Sequence, residues 1–442
     1  MAAPKRPNIV MMLADNTGYG DLGCYGGGVV RGAPTPFLDR MAAEGLRLTS
    51  FYTETQCTPT RAALMTGRLP VRDGLTVALI PGAGGGMSES EVTVAELLSA
   101  ADYDTALFGK WHLGDGEKSL PQNKGFDEFW GFLYHVDAYL YKERIGFDET
   151  QVTTLEGLVE AKRGEKLNVV KDLNSDNLPI VDEEITAKSV DYIKNHANSE
   201  KPFFLYVAFS RPHYPNIPHP DWNGKSKIGD YGDAQMELDY HSGLVLDAVR
   251  EAGIGENTLV IWCSDNGPTN YSWPDSGFTP FRGEVGTGLE GGIRCPAILW
   301  WPGTIEPGWV SNEIMSTLDL FNTFVSLGGA EVPTDRPIDG VDQTAFLVGD
   351  QESSNREHVV TFVGKDMVSM LWHQFKVHFK VKEHMMGAVL NNQFPFMYNI
   401  ELDPREEHDI AGQNLWLLEV VGNLEKDLEQ SFQDFPNRDP QG

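Results

Sequence analysis

Residues 8–14, NIVMMLA, run directly into Asp15, Asn16 and a glycine-rich turn, and this junction decides the fold class. A short, nearly continuous apolar run bounded by turn residues reads as a parallel strand buried on both faces. The same grammar returns three times. Residues 104–108 lead into Gly109, Lys110, Trp111 and His112, residues 202–209 end at Ser210 and His213, and residues 257–263 end at Asp265 and Asn266. Helical spacing occupies 36–45, 57–66, 93–101, 185–196 and 236–252. The alternation predicts an α/β domain in which a mixed, mostly parallel sheet is sandwiched by helices. Ligands of such open sheets bind at the C-terminal strand ends, where all four runs deliver polar side chains.

The pattern changes after about residue 350. Residues 358–363 and 367–381 read as antiparallel strands, and 415–432 as an amphipathic terminal helix. The expectation is a catalytic domain over 1–350 and a smaller C-terminal α+β domain, an antiparallel sheet plus helix, over 351–442. Residues 114–182 are less regular and read as insertions around the site.

With 442 residues, 41% of them hydrophobic, the chain can bury a sizeable core, and no apolar run approaches the roughly 18 residues that would span a bilayer. The 35 basic and 64 acidic residues give a formal charge of −29, which repels nucleic acid and anionic membranes. Neither is expected as a partner, a homo-oligomer is compatible with the composition, and an anionic substrate would need a local cationic pocket. The four cysteines, at 24, 57, 263 and 295, lack the spacing of a zinc knuckle or a disulfide frame. Residues 1–7 and the short apolar stretch after them do not form an export signal, so the chain as written reads as cytoplasmic. A leader ahead of it would make the address periplasmic or secreted.

Cys57-Thr58-Pro59-Thr60-Arg61 places a thiol at a helix start with an arginine one turn on, a pattern for a low-pKa nucleophile. A buried cysteine ahead of a proline-started helix fits the same letters. Asp15, Asn16, Asp265 and Asn266 are oxygen donors, suited to a hard divalent cation and not to zinc. Either pair alone would read as a turn; two pairs, each ending a buried strand, argue for a metal site. His112 and His213 are the natural proton carriers near neutral pH. Tyr214, Trp222 and Trp273 fit either the core or a substrate platform.

Cys57-Thr58-Pro59-Thr60-Arg61, followed by Thr66-Gly67-Arg68, resembles the signature of the formylglycine-dependent sulfatases of the alkaline phosphatase superfamily. Further stretches resemble that family in order. They are Asn8-Ile9-Val10 leading to Asp15-Asn16, Phe108-Gly109-Lys110-Trp111-His112-Leu113-Gly114, Pro212-His213-Tyr214-Pro215, Ser264-Asp265-Asn266-Gly267, Glu290-Gly291-Gly292-Ile293-Arg294, and Met397-Tyr398-Asn399 through Asp403-Pro404-Arg405-Glu406.

The resemblance implies an alkaline-phosphatase-like fold and an arylsulfatase-type hydrolase of small sulfated substrates. Cys57 would be oxidised to formylglycine by a formylglycine-generating enzyme. One divalent cation, calcium ahead of magnesium, would be held by Asp15, Asn16, residue 57, Asp265 and Asn266, and would polarise the ester and the nucleophile's oxygen. Arg61 and Lys110 would hold nucleophile and sulfate oxygens. One hydroxyl of the hydrated aldehyde would attack sulfur while His213 protonates the departing alcohol or phenol. His112 would then take a proton from the second hydroxyl, which expels sulfate.

Two positions depart from the family pattern. Many relatives carry Asp-Asp where this chain has Asp15-Asn16, and many carry a lysine where it has Val285. Arg282 or a residue from 114–182 would have to replace that lysine. The gap makes a phosphonate monoester hydrolase or phosphodiesterase the nearest rival reading, with a silent anion-binding homologue further away. A zinc hydrolase is disfavoured, because no histidine-rich ligand set has suitable spacing.

Overall fold

The computed structural model describes residues 6–82 and 85–438. Residues 1–5, which carry most of the leader reading, and 439–442, the end of the expected C-terminal domain, lie outside the described residues. The strands of the large sheet are β1 (Asn8–Ala14), β2 (Leu46–Tyr52), β3 (Asp104–Lys110), β4 (Glu128–Phe132), β5 (Leu158–Lys162), β6 (Asn168–Lys171), β7 (Phe203–Ala208), β8 (Thr258–Ser264), β9 (Arg294–Trp300), β10 (Trp309–Ser311) and β11 (Met315–Ser316). Across the sheet they run β10-β2-β9-β8-β1-β7-β3-β4-β5-β6, with β11 also on β2. The central run from β8 to β4 is parallel, while the β2–β9, β8–β9, β4–β5 and β5–β6 pairs are antiparallel.

The apolar run at the N-terminus becomes β1, paired on both sides and wholly buried. Its side chains alternate between two cores: Ile9, Met11 and Leu13 enter one, Val10, Met12 and Ala14 the other. Each of the larger residues contributes roughly 1.5–3 kcal/mol by burial. A helix layer on each face explains why polar alternation is absent from the strand.

Most expected elements appear within a residue or two. The helix expected from 93 runs Val94–Ala100 and is capped by Thr93, whose hydroxyl accepts from the Glu96 amide while Glu96 reaches back to Thr93. The helix read from 236 begins earlier, at Asp230. Its first turns are polar and carry no apolar stripe, but Asp230 and Asp233 favour the helix N-terminus and Asp233 also accepts from the Gly224 and Ser226 amides. The strand read as 367–381 is a hairpin of two, because His373 turns through φ 49°. Apolar residues on both sides of that turn hide it from periodicity.

That hairpin belongs to a second, antiparallel sheet of β12 (His358–Val363), β13 (Asp366–Trp372), β14 (Phe375–Val381) and β15 (Leu390–Asn399), followed by the helix Leu417–Asp434. The unit shares cores with the large sheet's side of the molecule. Tyr52 and Ile293 pack with Val359, Leu371, Tyr398 and Ile400, and Ala63 of the Cys57–Thr66 helix packs in a cluster with Phe362. A buried ionic network crosses the same junction. Lys376 Nζ lies 2.8 Å from Glu290 and 3.1 Å from Glu406, His378 Nε2 lies 2.6 Å from Glu406, and Glu406 also accepts from the Glu290 amide at 2.8 Å. Among the described residues, no helix is long and apolar enough to cross a membrane.

The network ties stability to pH. Burial alone would raise the Glu406 carboxyl, but Lys376 and His378 outweigh it and hold it near 2, below the ordinary 4.5. A carboxyl depressed in the folded state contributes stability fully above its unfolded value, and that stability is lost as pH falls from 4.5 toward 2. Removing one member of a buried pair costs roughly 3–5 kcal/mol. Glu406→Gln should therefore lower Tm at pH 7 and flatten the acid limb of the Tm-against-pH curve; an unchanged curve would refute a stabilising role for the network.

Candidate functional site

The parallel core brings the four polar strand ends together. Asp15 and Asn16 follow β1, Asp265 and Asn266 follow the neighbouring β8, His213 comes just after β7 on the other side, and Lys110 ends β3. The close packing of these strands depends on Gly109: a Cβ there would stand 1.9 Å from the Ala208 carbonyl oxygen, and its φ of +114° suits glycine. Cys57 arrives from β2 as the first residue of a wholly buried helix that ends at Gly67 in the left-handed conformation. Every expected site residue is buried: Arg61, Lys110, His112, Asp15, Asp265 and Asn266 show no exposure, and Cys57 is 6% exposed.

Cys57 Sγ lies 3.7 Å from Asp15 Oδ1, and Lys110 Nζ donates to Asp15 Oδ2 at 2.6 Å. Arg61 spans the group, donating to Asp265 at 2.9 Å and to the Lys110 carbonyl and the Tyr206 hydroxyl at 3.2 Å each, and lying 3.8 Å from Asp15. Asn16 adopts φ 69°, and its amide donates to Asp265 Oδ1 at 3.1 Å. Asn266 Nδ2 donates to Asn16 Oδ1, leaving Asn266 Oδ1 buried without a partner. His112 Nε2 meets the Leu79 carbonyl at 3.0 Å, while its Nδ1 is buried and unpaired. His213 Nδ1 meets the Tyr214 carbonyl.

Burial and charge set the protonation states. Burial pushes the Asp15 carboxyl up, but Lys110, His213 and Arg61 together draw it below the usual range. Asp265 goes the other way, up to about 7, through burial and the negative charge of Asp15, only partly offset by Arg61 and Lys110. Burial would lower Lys110, but Asp15 keeps it above its ordinary value. Burial lowers both histidines, with Lys110 lowering His112 further. Burial also raises the Cys57 thiol, and Asp15 and Asp265 add to the effect against Lys110 and Arg61. The expectation of a low-pKa thiol is thus overturned: the helix start and Arg61 are present, but the desolvated site disfavours a thiolate.

These observations fit a hard cation. Two buried carboxylates whose charges oppose one another, with an orphaned amide oxygen beside them, form an oxygen-rich set that a divalent ion would neutralise. Asp15, Cys57 and His213 also present ligand atoms within 4.8 Å of one another. A neutral imidazole is the poorer donor for a hard ion, which assigns His213 to other work.

Asn16, Cys57, His112 and His213 line a cleft of about 520 Å³, while Asp15, Arg61, Lys110, Asp265 and Asn266 are wholly buried and outside its lining. The cleft walls are mainly apolar, with Val77, Ile80, Tyr141, Tyr271, Met385 and Met386 among them. Val285 also faces the cleft, so no cation fills that position. Arg282 is turned away toward the C-terminal unit, donating to the Glu406 carbonyl at 2.9 Å and pairing with Glu383, and does not replace the absent lysine. The 114–182 segment does supply the cleft, through His135 and Asp137. Of the three aromatics, Tyr214 packs edge-on against Tyr271, Trp222 packs against Tyr240 in a separate cleft of about 540 Å³ without the expected site residues, and Trp273 is 76% exposed.

Sequence reasoning missed four contributors. Tyr206 is hidden inside the apolar β7, Met385 comes from the turn region after β14, and His135 and Asp137 lie in a stretch without regular periodicity. The H-x-D spacing was the available signal for the last two.

Comparison with known proteins agrees with this geometry. The Sulfatase family model matches residues 7–330. Arylsulfatase A of Homo sapiens is 36% identical over 437 residues, covering 93% of this chain and 85% of that protein. The N-acetylgalactosamine-6-sulfatase of Canis lupus familiaris is 37% identical over 461 residues, covering 97% and 86%. The crystal structure of the PsFucS1 sulfatase from Pseudoalteromonas sp. superposes with a TM-score of 0.92 at 36% identity, covering 98% of this chain and 92% of that one. A match of this extent, together with a cleft lined by Asn16, Cys57, His112 and His213 from four of the expected motifs, places the chain in the sulfatase family as a hydrolase of sulfate esters.

Proposed function

We propose that the chain hydrolyses small sulfate monoesters, of arylsulfatase type, through a formylglycine formed at Cys57. In this reading one divalent cation, calcium ahead of magnesium, is held by Asp15, Asn16, residue 57, Asp265 and Asn266. Residues 1–350 form the catalytic domain and 351–442 the C-terminal domain. The carrying observation is the convergence of Cys57 Sγ at 3.7 Å and Lys110 Nζ at 2.6 Å on the two oxygens of one buried carboxylate, Asp15, beside the cleft that Cys57 lines. A thiol raised by burial is a weak nucleophile in the folded site, so an unmodified Cys57 would serve the reaction poorly. A side chain 6% exposed is also closed to another enzyme, so a formylglycine-generating enzyme would have to act before folding.

The hydrated aldehyde supplies the attacking hydroxyl, and the cation supplies Lewis-acid polarisation of a sulfate oxygen. The rest falls to this chain's own side chains. Arg61, fixed by Asp265, Tyr206 and the Lys110 carbonyl, holds a guanidinium one helical turn from position 57. Lys110 points its ammonium at Asp15 and stabilises charge as it gathers on the sulfate oxygens. His213 donates a hydrogen bond from Nδ1 to the Tyr214 carbonyl, which leaves Nε2 to carry a proton to the leaving oxygen. His112 donates a hydrogen bond from Nε2 to the Leu79 carbonyl, stays neutral through burial, and offers a bare Nδ1 as the base for the second hydroxyl. The apolar walls suit an aromatic or otherwise weakly polar leaving group.

Mass spectrometry of the peptide around Cys57 should show loss of sulfur and gain of an aldehyde, and aryl sulfate turnover should be abolished by a chelator and restored by calcium. An unmodified thiol in active protein, or turnover indifferent to chelation, would sink the mechanism. Fully modified protein that cleaves phosphonate monoesters and no sulfate ester would instead favour the phosphoryl-transfer reading that Val285 leaves open.

A pH dependence follows from His213. Its value is lowered from 6.5 by burial, so the protonated form is lost as pH rises through a point below 6.5. For phenyl sulfate, whose leaving group needs the proton, kcat/KM should fall with rising pH on a limb centred below 6.5. A limb centred above 7 would remove His213 as the acid.

A further inference from the structure

Asp137 is where two imidazoles meet. His135 Nδ1 lies 2.5 Å from Asp137 Oδ1, and His213 Nδ1 lies 3.7 Å from the same oxygen. The two rings stand nearly parallel, 6.0 Å apart with 20° between their planes, and His112 approaches His135 edge-on at 5.5 Å. All four side chains line the cleft that holds Cys57. The support is rigid: Asp137 sits in the short 3-10 helix Val136–Glu143, which is pinned by Tyr139, whose hydroxyl accepts from the Leu133 amide at 2.9 Å while its ring packs on Phe132.

An acid in the first turn of a helix would ordinarily be explained by the helix dipole. That explanation leaves out why one carboxylate oxygen holds His135 Nδ1 and also faces the His213 ring at 3.7 Å, where the His213 Nδ1 hydrogen bond goes to the Tyr214 carbonyl. The carboxylate on His135 Nδ1 fixes that ring's tautomer and plane and leaves its Nε2 free to act, while on His213, whose tautomer the Tyr214 carbonyl sets, it acts by its negative charge.

We infer that Asp137 is a positioning residue for the leaving-group side of the reaction, holding a negative charge 3.7 Å from His213, and that His135, hydrogen-bonded to the same carboxylate, is a second donor contacting the ester on that side. This rests on the sulfatase reading and on the acid role of His213. When the S–O bond breaks, its electron pair goes to the leaving oxygen, which takes the proton from His213 Nε2. His135 donates a hydrogen bond beside it without transferring its proton. His135 also occupies the stretch expected to compensate for Val285, so the second donor replaces in part the lysine that this cleft lacks.

The test is a leaving-group series on the mature, metal-loaded enzyme, comparing 4-nitrophenyl sulfate with phenyl sulfate, whose leaving group is the more basic. Asp137→Asn should lower kcat about threefold or less for the nitrophenyl ester and about thirtyfold or more for phenyl sulfate, with KM within about twofold, because only the poorer leaving group depends on a well-aimed acid. In a His213→Ala background the same substitution should cost no more than about twofold, since two residues acting in one unit are not additive. Equal losses on both esters, or an undiminished loss without His213, would overturn the positioning role. For His135, the Gln variant, which keeps a donor, should stay within about threefold of the parent on phenyl sulfate while the Phe variant loses about tenfold or more. Gln and Phe variants of equal activity would overturn the donor role. A parent enzyme that releases sulfate from neither ester would overturn the proposed function itself, an outcome distinct from either of these.

Discussion

The site is governed by a conflict between two like charges. Asp15 and Asp265 end adjacent parallel strands, have no exposure to water, and are close enough that the ionisation of one opposes that of the other. Charges left unpaired in such a place cost several kcal/mol each. Lys110 and Arg61 answer part of the demand, which is why they too are wholly buried and why each is tied to a carboxylate. The remainder is a standing preference for another positive charge, a simple reason for the site beside this cleft to hold a cation and to receive an anionic ester in a molecule with a net charge of −29.

Much of this was legible in the chain. β1 could be read because burial on both faces removes the polar alternation, and its polar end could be read because Asp15 and Asn16 follow without a gap. Cys57, Arg61, Lys110, His112 and His213 were found because each sits inside a contiguous motif. Their contacts were not legible: nothing linear says that Arg61 reaches the Tyr206 hydroxyl across 145 residues, since a tyrosine inside FFLYVA reads as core. His135 and Asp137 escaped for a different reason. Asp137 lies in a 3-10 helix and His135 caps its start, and the short repeat of such a helix offers too few residues for a pattern to form.

The acidity of Cys57 shows a limit of local reasoning. A helix N-terminus and a nearby arginine both favour a thiolate, and both are present. Desolvation of the whole site nonetheless outweighs them. The sign of the effect is set by the exclusion of water, with smaller additions from Asp15 and Asp265 set against Lys110 and Arg61, and a motif records neither the burial nor these distant partners.

The C-terminal unit does more than complete the core. Its β12 residue Phe362 packs in a cluster with Ala63 of the nucleophile's helix and accepts a hydrogen bond from Thr55 at 3.2 Å, and the region after β14 brings Met385 and Met386 to the cleft wall. The proposed reacting groups thus lie before residue 270, while the cleft wall is shared between Val77, Ile80 and Tyr141 from the same stretch and Met385 and Met386 from beyond residue 380. Substitutions confined to that late loop can therefore reshape one side of the rim while every expected site residue is inherited unchanged.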